Sequence, residues 1–231
     1  MVHLVWKETG LKPHRIERYL ASDDPDFESK AADIIGLYLN PPQHLAVFCV
    51  DEKTAIQALD RLEPVLPLSP GRAERHGFEY YGHGTLSLNA ALDMQSGKVL
   101  GKTAARHISQ EFVELLAEVV ERAPAPEVHI IILDNLSAHK SQVVRDFLAA
   151  HPNVHFHFTP TYSAWLHLVE IWVSKVERDV IARGIFTSVK DLARKLRHYS
   201  NAYSANAKPI QWKYSDPTRR TPSNVVSATW C

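Results

Sequence analysis

The segments LAVFCVDEK (residues 45–53) and HIIILDNLSAHK (residues 129–140) each carry a strand-like apolar run into an aspartate. Asp51 ends the first run and Asp134 ends the second. A carboxylate at the edge of a core does not favour folding by itself, because it has to be hydrated, hydrogen-bonded or bound to metal. The two segments therefore predict two strands of a sheet and a functional site where these strands end.

The rest of the chain predicts helices around that sheet. Apolar residues at helical spacing predict helices in 26–40, 109–123, 141–152 and 189–205, and one long helix over 163–184. Strand-like runs at 78–94 and 97–107 form a meander with the first strand, and a short strand is expected at 154–160. This order indicates an α/β protein whose mixed five-stranded sheet is flanked by helices.

Composition narrows the class without fixing it. The chain has 231 residues, 45% of them hydrophobic and 23% charged, which is typical of a folded globular protein. No apolar run approaches the roughly 18 residues that span a bilayer, so we expect no membrane partner and a cytoplasmic location. Cys49 and Cys231 are the two cysteines, which argues against a disulfide framework. Because the formal net charge is zero, positive charge for DNA has to be local.

A third carboxylate, Glu170, lies in the segment SAWLHLVEIW, which is helical in character. A helix packed on the sheet can deliver this acid to the edge where Asp51 and Asp134 lie. Clustered carboxylates repel one another unless a divalent cation neutralises them, and oxygen-only ligands favour magnesium or manganese over zinc. Two such ions, about 4 Å apart, would serve phosphodiester cleavage. The three acids together suggest this chemistry.

Each acid also has a simpler interpretation. Asp134 with Asn135 is compatible with an Asx-type turn after a strand, and Asp51 is compatible with a solvated strand end. Glu170 is compatible with the polar edge of an amphipathic helix. Residue types and spacing alone leave these alternatives open.

Several strings, in one order, carry a family resemblance. They are CVDEK, IQALDR, the Gly-Arg-Ala near residue 71, HGT, LDNLSAHK, FTPTYSAWLHLVEIW and RDVIARGIF. Together they resemble the catalytic domain of DDE transposases, most closely the bacterial insertion-sequence family six-thirty, which is related to the mariner elements. The resemblance runs from about Leu4 to about Thr218. It implies a ribonuclease-H-like fold, metal-dependent nicking at element ends and transfer of the freed 3′-hydroxyl into target DNA.

The resemblance also assigns roles to residues. It implies that Asp51, Asp134 and Glu170 are the catalytic triad and the ligands of two Mg²⁺ (or Mn²⁺) ions. Accompanying motif positions are Glu52, Asn135 and His139. The family commonly has Asn three residues before the catalytic glutamate, where this chain has His167. For His167 three interpretations stay open: a metal ligand, a hydrogen-bond donor that orients Glu170, or a tolerated substitution.

The same resemblance implies a domain plan and partners. Residues 1–40 are expected to be a remnant of a helix-turn-helix DNA-binding region with a linker helix, 41–218 the DDE endonuclease domain, and 219–231 an irregular tail. The expected partner is double-stranded DNA, as element ends and as target, with a homodimer as one option and association with the nucleoid when DNA is bound. Two alternatives are a catalytically inactive transposase remnant and a stand-alone metal-dependent nuclease of the same fold.

Basic residues supply candidate contacts to DNA phosphates. The candidates are Arg72, Arg75, Arg178, Arg183, Lys190, Arg194, Lys195 and Arg197. A charge run on a helix is also compatible with a solvated face. Trp165 and Trp172 are expected to anchor the core rather than to stack on bases.

Overall fold

One mixed sheet of five strands forms the centre of the computed structural model, which describes residues 22–41, 45–63, 66–73, 75, 79–106, 108–122 and 128–212. The strands are β1 (Leu45–Arg61), β2 (Tyr80–Asp93), β3 (Val99–Ala104), β4 (Val128–Leu133) and β5 (Val154–Phe158). Their spatial order is β3-β2-β1-β4-β5. The first three strands pair antiparallel, whereas β1, β4 and β5 run parallel. The predicted mixed five-stranded sheet is confirmed.

Among the residues described, five α-helices cover the two faces of this sheet. They are α1 (Phe27–Leu39), α2 (Ser109–Arg122), α3 (Gln142–Ala150), α4 (Val169–Val176) and α5 (Val189–Ala205). Helices α1, α4 and α5 pack on one face around the fully buried Trp172, as predicted for that tryptophan. Helices α2 and α3 cover the other face. Within the residues described, no helix combines the length and the apolar character that crossing a membrane requires.

Strand β1 is longer than the sequence predicts. We expected it to end at Asp51, where its apolar run ends, but it continues through the charged triplet to Arg61. The reason is its pairing, since Asp51 lies opposite Ala90 of β2 and the antiparallel ladder continues past it. The parallel ladder with β4, in contrast, is paired only up to Cys49. At Asp51, β1 is therefore still paired with β2 but no longer with β4.

The prediction of one long helix over residues 163–184 is also wrong in detail. The structure divides it into a 3₁₀ turn (Ala164–Leu166), helix α4 and a π-helical turn (Glu177–Ile181). His167 causes the first break, because its backbone has φ −97° and ψ 89°, outside the helical region. Glu170 consequently lies in the first turn of α4 rather than in the middle of a long helix.

The predicted domain boundaries cross this architecture. Helix α1 packs into the same core as the sheet, with Phe27, Ala31, Ile34 and Ile35 buried. Most of the predicted remnant, residues 1–21, and the predicted tail, residues 219–231, lie outside the described part of the chain. The division at residues 40 and 218 stays a prediction.

Candidate active site

The register of β1 and β4 brings the two aspartates together. These strands run parallel, and the last pair in the ladder is Cys49 with Ile132. Continuing that register by two residues places Asp51 and Asp134 side by side, at the distance of neighbouring strands, about 4.8 Å. Because side chains alternate between faces, both acids point to the face on which Cys49 and Ile132 are buried.

Helix α4 delivers the third acid to that face. Its buried residues Val169, Trp172 and Val173 pack into the core on the same side of the sheet. This packing fixes the first turn of the helix, where the Glu170 N–H donates to the His167 carbonyl oxygen over 3.0 Å. The Glu170 carboxyl is within hydrogen-bonding contact of Asp51.

The three acids face one open cleft of about 470 Å³. Its lining residues are Asp51, Glu52, Lys53, Thr54, Asp134, Leu136, Glu170 and Val173. The structure therefore brings together all three predicted catalytic acids and the accompanying Glu52. The solvated-strand-end interpretation of Asp51 does not apply, because only 11% of its side chain is exposed.

Asp51 and Glu170 disfavour ionisation in this cleft. Burial raises the pKa of Asp51 to about 6; the hydrogen bond from the Glu52 N–H lowers it in part, and the negative charge of Asp134 raises it. Burial also raises the pKa of Glu170, with Asp51 as the next contributor. Two neighbouring carboxyls repel each other when both are ionised, so this pair retains a proton to a higher pH than free carboxyls do. Such a pair is ready to exchange its proton for a cation.

Asp134 behaves differently, because histidine supports its charged form. Burial alone would raise the pKa of Asp134, but the hydrogen bond and charge of His139 hold it below its ordinary value. The His139 Nδ1 atom lies 3.2 Å from the Asp134 Oδ1 atom, and the His139 side chain is 3% exposed. The Leu136 N–H also donates to this carboxylate over 3.4 Å, as an Asx-type turn requires. Asp134 thus both accepts the hydrogen bond of the turn after β4 and lines the cleft.

His167 lies beneath the acids. Its side chain is 3% exposed, and its Nδ1 atom is 3.9 Å from Asp51 Oδ2. Burial lowers the pKa of His167, but contact with the Cys49 sulfur and the charges of Asp134 and Glu170 outweigh it and raise the pKa above its ordinary value. The break at His167 in the predicted long helix is what places the ring here.

Asn135, the last accompanying residue, faces outward from the cleft wall. It donates to the Thr161 hydroxyl over 3.4 Å and accepts from Lys140 Nζ. These bonds tie the segment after β4 to the loop after β5. In that loop the exposed Tyr162 has φ +59°, a left-handed conformation that a non-glycine residue adopts at a cost. Asn135 therefore supports the cleft from outside.

The donor set suits a divalent cation, although its present arrangement is not a finished ligand shell. In the described ranges, no group of three or more His, Cys, Asp or Glu side chains has metal-holding geometry. The side chains at the cleft nevertheless offer carboxylate oxygens, which magnesium and manganese prefer. The raised pKa values of Asp51 and Glu170 show that their negative charges lack sufficient compensation from the protein. By their chemistry, the residues therefore fit a divalent cation.

Some of the candidate DNA-contact residues already form ion pairs with acidic residues of the protein. Arg178 pairs with Asp179 over 2.7 Å, and Asp191 binds both Arg194 and Lys195. The remaining candidates, all exposed, are Arg72, Arg75, Arg183, Lys190 and Arg197. The structure places none of the eight among the residues that line the acidic cleft. Three of the six candidates that follow Glu170, namely Arg178, Arg194 and Lys195, are thus already paired with acidic residues of the protein.

Sequence reasoning missed two residues of the site. Lys53 lines the cleft, and its positive charge lowers the pKa of Glu170. Cys49 contacts the ring of His167 and, at 3.7 Å, the Tyr38 hydroxyl. Both stand two residues from Asp51, so period-two alternation puts them on its face. Period-two alternation could have predicted both residues, but only if the strand was taken to continue past Asp51.

The convergence of three acids on one cleft agrees with a comparison with protein families. Residues 46–193 match the family of DDE superfamily endonucleases. This match covers well over half of the sequence, so the chain belongs to that family. The resemblance seen in the sequence motifs is confirmed.

Individual relatives point to mobile elements. The chain is 28% identical, over 139 residues, to the "Insertion element IS630 uncharacterized 39 kDa protein" of Shigella sonnei. That match covers 59% of this chain and 37% of the relative, so the chain spans well under half of that protein.

Solved structures share the fold at low identity. The Mos1 mariner paired-end complex with Mn matches with a TM-score of 0.60 and 16% identity, covering 87% of this chain and 62% of the other. The catalytic domain of Mos1 mariner transposase matches with a TM-score of 0.52 and 13% identity, covering 84% and 87%. The predicted ribonuclease-H-like fold is confirmed by these matches.

Proposed function

We propose that this chain is a transposase catalytic domain that cleaves DNA with divalent metal ions and joins the freed 3′-hydroxyl to target DNA. One observation carries the proposal: Asp51, Asp134 and Glu170 converge on a single open cleft although they come from three separate elements. Family membership supports it, and the Mos1 complexes with Mn and with Mg belong to proteins of the same fold.

Asp51, Asp134 and Glu170 would hold two Mg²⁺ or Mn²⁺ ions. When bound, the ions activate a water or a 3′-hydroxyl and stabilise the leaving oxygen. This chemistry requires no protein nucleophile, because phosphoryl transfer depends on positioning and charge neutralisation. In this chain Asp134, kept ionised beside His139, offers the first negative charge, and the Asp51–Glu170 pair supplies the rest after it loses its proton.

His167 and Glu52 would act through the acids. We assign His167 an electrostatic role, because its ring lies under Asp51 and its raised pKa favours a protonated ring, which would limit the repulsion among the three carboxylates before metal binds. This role differs from the metal ligand, the hydrogen-bond donor to Glu170 and the tolerated substitution that the sequence left open. Glu52 and Asn135 would support the cleft walls.

The partners follow from the reaction. Double-stranded DNA, as element ends and as target, would reach the cleft, with exposed basic residues contacting its phosphates. A homodimer would allow two ends to be processed together. We propose that the chain acts in the cytoplasm, at the nucleoid when DNA is bound.

A cleavage assay tests the proposal. The substrate is a duplex that carries the inverted repeats flanking the coding sequence, incubated with the chain and Mg²⁺. We expect nicking followed by joining, and we expect the Asp134→Asn variant, with an unchanged circular dichroism spectrum, to do neither. Cleavage without joining would support a stand-alone nuclease instead, and an active Asp134→Asn variant would refute the assigned site.

A further inference from the structure

A second cavity, here called the side pocket, adjoins the acidic cleft. It has a volume of about 310 Å³ and shares Lys53 and Thr54 with the cleft. Its other walls include Gln57 and Arg61 of β1, Tyr80 of β2, and Ile181 and Phe186 beyond α4. The two cavities are therefore continuous along one strand, from the acids towards the far end of β1.

Two backbone irregularities create the side pocket. The β1–β2 register shifts between Lys53 and Ile56, where Ala55 adopts φ +53°. A bulge of this kind bends a strand and redirects its side chains. Opposite it, the π-helical turn Glu177–Ile181 widens the end of α4. Ala55 is exposed and contributes nothing to the core, so its left-handed backbone serves the shape of the strand.

The side pocket offers the contacts that a nucleobase uses. The Tyr80 ring is 47% exposed, and the Arg61 guanidinium lies 5.7 Å from its centroid. An aromatic ring with a guanidinium is a stacking platform that accepts any base. Phe186, 1% exposed, closes the pocket with an apolar wall, while the exposed amide of Gln57 can hydrogen-bond to a base edge.

Charge at the border suits the same ligand. Lys53 reaches Glu177 across 2.9 Å, and its ammonium lies between the acids of the cleft and the side pocket. A phosphate passing from one cavity to the other would meet this lysine. The arrangement thus provides a cation for the backbone of a strand and an aromatic pocket for its base.

We propose that the side pocket receives an unstacked base of the DNA strand that is cut in the cleft. This inference rests on the proposed function and adds a substrate contact to it. Arg61, which is paired with Tyr80, is ten residues from Asp51 on β1, which is at most about 33 Å along a strand. At about 3.4 Å per nucleotide along duplex DNA, the base lies within about ten nucleotides of the cut.

Fluorescence of 2-aminopurine tests the inference directly. The probe is a duplex with a candidate element end, with 2-aminopurine placed in turn at each position within about twelve nucleotides of the cut. We expect fluorescence to rise on binding at one or two adjacent positions, because unstacking relieves quenching. Tyr80→Ser should abolish the rise and weaken binding about five- to 150-fold, and Tyr80→Trp should restore both.

A neighbouring tyrosine provides the matched control. Tyr81 is 58% exposed, follows Tyr80 on the same strand and does not line the side pocket, so Tyr81→Ser should behave as wild type. Filling the pocket with Gln57→Trp should abolish the rise without touching the core. The inference is overturned if no position responds at saturating protein, or if Tyr80→Ser and Tyr81→Ser give equal signals.

The two proposals fail separately in these experiments. A chain that cleaves and joins DNA without any fluorescence change contradicts the side pocket and leaves the proposed function intact. A chain that unstacks the base but shows no Mg²⁺-dependent cleavage contradicts the proposed function alone. A duplex that does not bind at all counts against both.

Discussion

Two buried aspartates of this protein have opposite chemistry. The side chain of Asp24 is 3% exposed and that of Asp51 is 11% exposed. Burial disfavours charge on both, yet the pKa of Asp24 lies below its ordinary value because Lys30 and two backbone N–H groups bind it. The pKa of Asp51 rises to about 6, because burial is joined there by the charge of Asp134.

This difference separates an acid that the fold pairs with its own cation from an acid of the proposed active site. The fold gives Asp24 its own cation, since Lys30 Nζ lies 2.8 Å from one carboxylate oxygen and 2.9 Å from the other. Beside Asp51 it places a second carboxyl, that of Glu170, and a histidine whose Nδ1 atom is 3.9 Å from the Asp51 carboxylate instead. A site that its own protein leaves short of positive charge is less stable alone and is suited to a cation from solution.

The largest expected effect concerns catalysis at the acids of the proposed active site. Glu170→Gln keeps the size of the side chain but removes its charge, so DNA cleavage should slow about a thousandfold. The measurement is the rate of Mg²⁺-dependent nicking. The control is Glu118→Gln on α2, which should cleave DNA normally. The Glu118 carboxylate is paired with Lys102 and Arg122 and lies outside the cleft. Equal rates for both variants would contradict the role of Glu170.

The second effect is on stability, and its sign is unusual. Asp51→Asn should stabilise the metal-free protein at pH 7 by up to about 3 kcal/mol, because it removes a buried charge that the fold disfavours. Denaturant titration of both proteins in the presence of a chelator measures this difference. A loss of stability in this variant would show that Asp51 contributes to folding as Asp24 does.

The pH dependence of stability provides its control. The folded pKa of Asp51, about 6, exceeds the value near 3.8 of an unfolded chain, so the folded state holds an extra proton between these values. The stability that this proton provides is complete below pH 3.8 and is lost as the pH rises through about 6. The Asp51→Asn variant should lack this decline.

The third effect reverses the sign at Asp24. Asp24→Asn should destabilise the protein by about 1 to 3 kcal/mol, because it weakens charge-assisted hydrogen bonds from Lys30 and the Thr161 N–H. The lowered pKa of Asp24 implies that this stability is present near neutral pH and is lost as the pH falls through its folded pKa. Thermal melts across pH measure it. A stability unchanged by this substitution would remove the contrast with Asp51.

The smallest effect concerns the basic residues of α5. Asp191→Asn releases Arg194 and Lys195 from their ion pairs, so DNA binding should strengthen a few-fold with a steeper salt dependence. Fluorescence anisotropy at several salt concentrations measures both. Glu118→Gln releases cations outside the predicted set and should leave binding unchanged. Identical DNA affinities for the two variants would show that Arg194 and Lys195 do not contact DNA.

Strand periodicity and strand adjacency made much of the site predictable. Apolar runs that end in Asp51 and Asp134, on strands that become parallel neighbours, predict two carboxylates on one face, and the structure has them there. Glu170 could be placed on a packed helix, but its contact with Asp51 depends on a backbone break at His167. Periodicity does not reveal such a break, because the apolar spacing continues through it.

What the sequence did not predict depends on pairing and long-range charge. The continuation of β1 to Arg61 is stabilised by β2, whereas an apolar pattern reports burial and not hydrogen bonding. The bulge at Ala55, which shapes the side pocket, has no glycine to mark it. Asp191 captures two basic residues of α5, and a list of positive charges does not show which are already neutralised.

The central claim is that a metal ion binds at Asp51 and Glu170 and displaces the proton that their raised pKa values retain in mildly acidic solution. Calorimetry of Mn²⁺ binding near pH 5.5, in two buffers with different heats of ionisation, measures that exchange directly. We predict release of about one proton per bound protein, falling towards zero near pH 8. Saturable binding with the same heat in both buffers, or no saturable binding at either pH, would contradict the claim.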